Sequence, residues 1–150
     1  MTKFNKLAIA AALSLGAVAA QAQTATTTFT VSADVQESCS VAATDLVFGN
    51  YLATAGAPLD TTSTITVTCT NGATYGVDVG ATPMNRNMAG PGGNLNYGMF
   101  NEVGRTTAFG VAGATGSGAA QAYTVFGRVP VAQFVQAGAY SATVTVTVTY

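Results

Sequence analysis

The chain has 150 residues, a formal net charge of −1, five Lys and Arg against six Asp and Glu, and no histidine. So sparse a charge excludes a surface that grips nucleic acid or an anionic membrane, and the lack of histidine excludes Ser-His-Asp and Cys-His catalytic constellations. Many Thr, 17 Gly and no Lys/Glu-rich runs point to an all-β protein.

In chain order, Lys3 and Lys6 precede an apolar run from Leu7 to Val18, and Ala20-Gln21-Ala22 has the form of a signal-peptidase site. The run is too short for a membrane anchor, and no stop-transfer segment follows it. Residues 1–22 are expected to be a signal peptide cut between Ala22 and Gln23, and the mature chain is expected to have no integral membrane segment. About 128 residues remain, enough for one domain with its own core. Loss of Lys3 and Lys6 leaves Arg86, Arg105 and Arg128 against the six acids. Such weak charging suits a subunit packed among others better than a free monomer.

From Thr24 onward, polar and apolar side chains alternate. Ala25, Thr27, Phe29, Val31, Ala33 and Val35 share one face, and Thr24, Thr26, Thr28, Thr30, Ser32 and Asp34 share the other. The phase runs on to Cys39 and Val41, interrupted by Glu37. That is long for one strand. It divides into an N-terminal arm, residues 23–37, and a first strand carrying Cys39 that opens a domain over residues 38–150. Cys39 and Cys69 are the two cysteines. In an exported chain a pair is most simply a disulfide. Closing a loop of about 30 residues stabilises by about 3–4 kcal/mol on the chain-entropy estimate. A metal site or a catalytic thiol would lack the histidine that each usually draws on.

Leu46–Tyr51 predicts a short strand, and Ala53–Asp60 a loop. Thr62–Thr70 predicts a strand with Ile65, Val67 and Cys69 inward. Asn71-Gly72 is a turn signal. Read locally it makes a hairpin, although in a sandwich the same connection can cross between sheets. A strand through Tyr75, Val77, Val79 and Ala81 follows, then a long loop from Pro83 to Asn94. Leu95–Phe100 predicts a strand and Phe109–Val111 a short one. Ala112–Ala120 predicts a mobile loop, and Gln121–Gly127 a strand ended by Pro130. No helix is predicted beyond a single turn near Val131–Val135. Gly138 opens the final segment, in which Tyr140, Ala142, Val144, Val146, Val148 and Tyr150 alternate with Ser141, Thr143, Thr145, Thr147 and Thr149. This predicts a half-buried strand reaching the chain end, with no later segment to pair with its far edge. Strands at this spacing without intervening helices indicate a sandwich or barrel.

Chemistry-bearing motifs are missing. Asp34, Glu37, Asp45, Asp60, Asp78 and Glu102 are scattered, and Glu102 is expected to pair with Arg105 across a turn. Gly90-Pro91-Gly92-Gly93 has no Lys after it, so it is not a phosphate loop. Tyr75, Tyr97, Tyr123 and Tyr140 lie within predicted strands and are expected in core or sheet faces rather than on a sugar-binding platform. The chain is not expected to be an enzyme, and no cofactor is expected.

An ordered set of segments carries a resemblance. It comprises Cys39, Leu46-Val47-Phe48-Gly49-Asn50-Tyr51, Thr66-Val67-Thr68-Cys69-Thr70-Asn71-Gly72, Arg86-Asn87-Met88, Leu95-Asn96-Tyr97-Gly98-Met99-Phe100, Thr124-Val125-Phe126-Gly127-Arg128-Val129-Pro130 and Gly138-Ala139-Tyr140. With the alternating terminus, these resemble the spore coat protein U domain, which is shared with subunits of archaic chaperone–usher pili. Phe109-Gly110 stands where Trp-Gly is expected, and Ala142 where an Asp is common. The resemblance implies an incomplete immunoglobulin-like β-sandwich lacking its last strand, completed by a donor strand from another subunit. It implies a hydrophobic groove along Tyr140, Ala142, Val144, Val146, Val148 and Tyr150, filled first by a periplasmic chaperone. At an outer-membrane usher, the arm of the next copy or of a related subunit then takes its place, through Ala25, Thr27, Phe29, Val31, Ala33 and Val35. Burying the large arm side chains contributes about 5–10 kcal/mol, at about 1.5–3 each, against an ordering cost of about 1–2 kcal/mol per residue. The expected function is a structural subunit of a secreted surface fibre that supports adhesion and biofilm formation. An adhesive tip or minor subunit, and a coat or matrix protein sharing the domain, are the alternatives.

Overall fold

The computed structural model describes residues 22–150. The expected signal peptide lies outside the described residues except for Ala22. The chain divides into two units, residues 1–33 and Asp34–Tyr150. In the described part of the first, residues 22–33, no residue belongs to a strand and all are exposed.

The second unit is built from eight strands: β1 Cys39–Ala43, β2 Leu59–Cys69, β3 Thr74–Asp78, β4 Arg86–Gly90, β5 Gly93–Phe100, β6 Val111–Thr115, β7 Gln121–Val129 and β8 Thr147–Thr149. The described residues contain no helix, and so none long and apolar enough to cross a membrane. One sheet has the order β1-β2-β7-β5-β4 and the other β6-β3-β8, with antiparallel pairing throughout. Along β2 the alternation does what its period requires. Ser63, Ile65, Val67 and Cys69 are buried while the residues between them face outward. β7 contributes Val125 and Val129, β3 Tyr75 and Val77, and β5 Leu95, Tyr97 and Met99 to the same core. Cys39 and Cys69 are directly opposite each other in the β1–β2 register and form a disulfide. The architecture is all-β: an incomplete immunoglobulin-like sandwich that lacks one strand.

Several predicted elements differ. Leu46–Tyr51 is not a strand. Gly49 has a φ of 75°, which breaks an extended run, and no neighbouring strand lies alongside it. The stretch read as a loop from Pro83 to Asn94 contains β4, paired to β5 across Pro91-Gly92. Its Asn and Gly content gives a weak strand signal that pairing overrides. Likewise β6 falls almost wholly inside the Ala112–Ala120 segment read as a loop. Its register against β3 shifts between Tyr75 and Val77, which is how a bulge accommodates an extra residue. β2 begins at Leu59, inside the expected Ala53–Asp60 loop, because Leu59 and Asp60 pair with Val129 and Arg128. β3 stops at Asp78, though Val79 remains buried. Asn71-Gly72 joins β2 to β3 across the two sheets, so it is not a hairpin turn. The final strand is interrupted. Ser141 bridges Ala89 in both directions at 2.9 and 3.1 Å, and ladder pairing resumes only at Thr147.

Candidate functional site: an unpaired cleft

Two stretches of the second unit run beside the core without a ladder. The first follows β1. Thr44 still donates its N–H to Thr64 at 3.0 Å, but from Asp45 to Tyr51 the backbone makes no hydrogen bond to another strand among the described residues. The second is Ala142–Val146, between the Ser141 bridge and β8. Together they form the rims of an open cleft of about 1070 Å³. Its lining runs through Ala43–Ala53 on one rim and reaches Val146 on the other. Between them lie Ile65, Val79, Leu95, Tyr97, Met99, Val125 and Val129 of the core.

Between Thr44 and Tyr51, which are hydrogen-bonded, the first rim is held by packing. Leu46 and Phe48 lie over Gly127 of β7, where a β-carbon would come within 2.9 Å of both side chains. Phe48 meets Tyr97 edge-on at 6.0 Å between ring centroids, a favoured aromatic arrangement. The second rim is latched to the β4–β5 hairpin. The Tyr140 ring lies on Gly90, and its hydroxyl donates to Gln136 at 2.7 Å. The Tyr51 hydroxyl donates to the Pro130 carbonyl and accepts from the Gln133 N–H, both at 2.9 Å. The Gln133 carboxamide in turn pairs with the backbone N–H and C=O of Asn96 at 2.7 and 3.0 Å. Both rims are thereby fixed without a strand between them.

Among the described residues, Asp45 is the one carboxylate lining the cleft, and no Lys or Arg lines it. An apolar floor bordered by unpaired backbone N–H and C=O groups is chemically suited to an extended peptide. The floor takes alternate side chains, and the rims offer ladder hydrogen bonds. Such edges are hazards when left open.

Of the predicted groove residues, Tyr140, Ala142, Val144 and Val146 line the cleft. Val148 and Tyr150 do not: Val148 is paired with Val77 in β8, and Tyr150 is exposed. In the arm, Ala25, Thr27, Phe29, Val31 and Ala33 belong to the first unit and Val35 to the second, and all six are exposed. Gln23 is exposed as well. Gln133 and Gln136 were not singled out from the sequence. Their roles depend on loop contacts that no periodicity signals.

The charged residues gather elsewhere. Asp60 takes a two-point hydrogen bond from Arg128 at 2.7 Å, and Arg105 approaches it at 3.3 Å. Chiefly through Arg128, its carboxyl is held below the ordinary carboxylate range, against a smaller opposing effect of burial. Arg105 therefore does not pair with Glu102 as expected. Instead Glu102 accepts from the N–H groups of Thr106 and Thr107, and these bonds lower its pKa. Tyr75 and Tyr123 share a hydrogen bond of 2.6 Å inside the sandwich. Burial pushes the Tyr75 phenol up to about 12.

Fold and cleft together define a sandwich one strand short of closure. Residues 25–147 match the Spore Coat Protein U domain, and the chain belongs to that family. Among solved structures it is similar to a chain of the CsuC–CsuE chaperone–tip adhesion subunit pre-assembly complex from archaic chaperone-usher Csu pili of Acinetobacter baumannii. The TM-score is 0.50 and the identity 23%, covering 77% of this chain. The match spans only 40% of that chain's length. No curated protein matches the sequence.

Proposed function

We propose that the chain is a structural subunit of a secreted surface fibre of the chaperone–usher type rather than an enzyme. It is exported to the periplasm, held there by a chaperone, and assembled at an outer-membrane usher into fibres that support adhesion and biofilm formation. The observation that carries this reading is the cleft between residues 45–51 and 142–146, with its apolar floor and unpaired rims. The arm offers a fitting occupant. Ala25–Val35 is 11 residues long and alternates, and the rim Ala43–Ala53 has the same length. Both the family and the pilus-subunit likeness agree with it.

The root of the arm favours donation to another copy. Thr70 donates its N–H to the Ser38 carbonyl at 2.9 Å, and its hydroxyl oxygen accepts from the Ser38 N–H at 3.1 Å. The arm is therefore anchored beside the disulfide, and only Gln36 and Glu37 separate Val35 from the anchor. The lining of the same molecule's cleft starts at Ala43, about 13 Å away along β1 at about 3.3 Å per residue. The Gln36 carbonyl also accepts from the Thr70 hydroxyl at 3.5 Å, and the two residues cannot both reverse the chain and span that distance.

Deleting residues 24–35 tests the reading. The truncated subunit is expected to co-purify with its chaperone and to form no fibres; normal fibres refute donation by the arm. Val146→Asp is expected to abolish chaperone capture by placing a carboxylate on the apolar floor, and undiminished co-purification counts against the cleft.

A further inference from the structure

The cleft is closed at one end and open at the other. Its lining stops at Ala43 and Val146, next to where β1 and β8 come within 8 Å between Cα atoms. A strand lying between two others needs about twice the ladder spacing of ~4.8 Å. A chain laid in the cleft therefore cannot continue between β1 and β8. At the other end the lining reaches Leu52 and Ala53 on one rim and the loop after Pro130 on the other. These loops carry exposed apolar side chains: Leu52 at 67%, Val131 at 41% and Phe134 at 76%. They do not stand on loose chain. The Tyr51 hydroxyl bonds Pro130 and Gln133 together, and Gln133 is fastened to β5. A fixed, solvent-facing apolar group of this kind marks a contact surface.

We propose that Leu52, Val131 and Phe134 form a docking surface for the body of a second copy of this chain, the copy whose arm lies in the cleft. This rests on the donor-strand reading above. The argument is one of reach. The arm must leave by the open end to rejoin its own domain. Only residues 36–38 separate Val35 from Cys39, a span of at most about 13–14 Å counting the links to both neighbours. The donor's Cys39–Cys69 end is therefore brought against this face. That end is made of small residues, with Gly72 donating its N–H to Gly116 at 2.8 Å and Gly118 donating to Cys69 at 3.2 Å. Arm insertion and body contact then act together, the second being intramolecular in effect once the first has formed.

The test separates the two contacts. The full mature chain is compared with Phe134→Asp and with Val131→Asp/Phe134→Asp for uptake of a synthetic peptide of residues 24–35 and for self-assembly followed by light scattering. Peptide uptake is expected to be the same in all three, which also reports that the variants are folded. Assembly of the double variant is expected to slow by about tenfold, with Phe134→Asp intermediate. Assembly at the wild-type rate by variants that take up peptide normally overturns the docking surface and leaves the cleft intact. Failure of the wild-type chain to take up the peptide overturns both. Unchanged assembly combined with lost adsorption to an apolar surface assigns these side chains to surface attachment and overturns the proposal. Unchanged assembly with lost chaperone binding assigns them to the chaperone and overturns it equally.

Discussion

β2 and the segment Tyr140–Val146 alternate with equal regularity, yet they end in different states. β2 shares nine consecutive pairs with β7, from Leu59 opposite Val129 to Val67 opposite Gln121, and pairs with β1 on its other side. Tyr140–Val146 has one bridge, at Ser141. A period of two reports which face is buried and says nothing about whether a neighbour lies about 4.8 Å to the side. The buried face of the segment is real: Tyr140, Val144 and Val146 are half-buried while Ser141, Thr143 and Thr145 are exposed. What is missing is the lateral partner, and the other rim at Asp45–Tyr51 lacks one too.

The contrast between a completed ladder and an open rim can be broken or sharpened by substitution. Val67→Ala, in the fully paired region and away from the cleft lining, is expected to cost about 2–3 kcal/mol. In denaturant unfolding the loss should be the same with or without a bound 24–35 peptide, and a peptide-dependent loss would merge the two regions. Gly127→Val, which drives a side chain into Leu46 and Phe48, is expected to cost about 1–3 kcal/mol and to loosen the first rim. Shifted ring resonances of Phe48 and Tyr97, with those of Tyr75 and Tyr123 unmoved, are the expected readout. Val144→Ala is expected to cost under about 1 kcal/mol in the empty subunit, because the side chain is only half-buried, and about twice that once the cleft is filled. Equal losses in both states would remove the strand from this rim.

The smallest effect concerns Asp60, far from the rims in character. Its folded pKa is lowered, so the stabilisation from Arg128 and Arg105 is fully present above the ordinary carboxylate value and is lost as pH falls through the lowered one. Asp60 is a third exposed, so Asp60→Asn is expected to cost less than about 1 kcal/mol at neutral pH. It should flatten the acid limb of the stability profile while leaving peptide uptake unchanged.

Much of this was legible in the residues. The β class, the core positions Ile65, Val67, Tyr75 and Val77, and the Cys39–Cys69 pairing follow from alternation and cysteine arithmetic. β4 and β6 were not legible. Asn87, Gly90, Ala112 and Gly113 are poor strand formers taken into strands by their neighbours β5 and β3. Leu46–Tyr51 erred in the opposite direction: its side chains suit a strand, but Gly49 and the lack of a partner prevent one. Half of the site, the second rim at Tyr140–Val146, could be read from its period. The Tyr51–Gln133–Asn96 bonds and the seat of Tyr140 on Gly90 join residues remote in sequence, and no local pattern encodes them.

The disulfide joins the root of the arm to β2, the strand flanked on both sides in the larger sheet. In a fibre, tension pulling on the arm would reach Cys39 after three residues and pass through the covalent link into β2, so β1 could not be peeled from the edge one rung at a time. The link that joins the subunit to its neighbour would then yield by sliding of the seated arm before the sandwich that bears it is torn open.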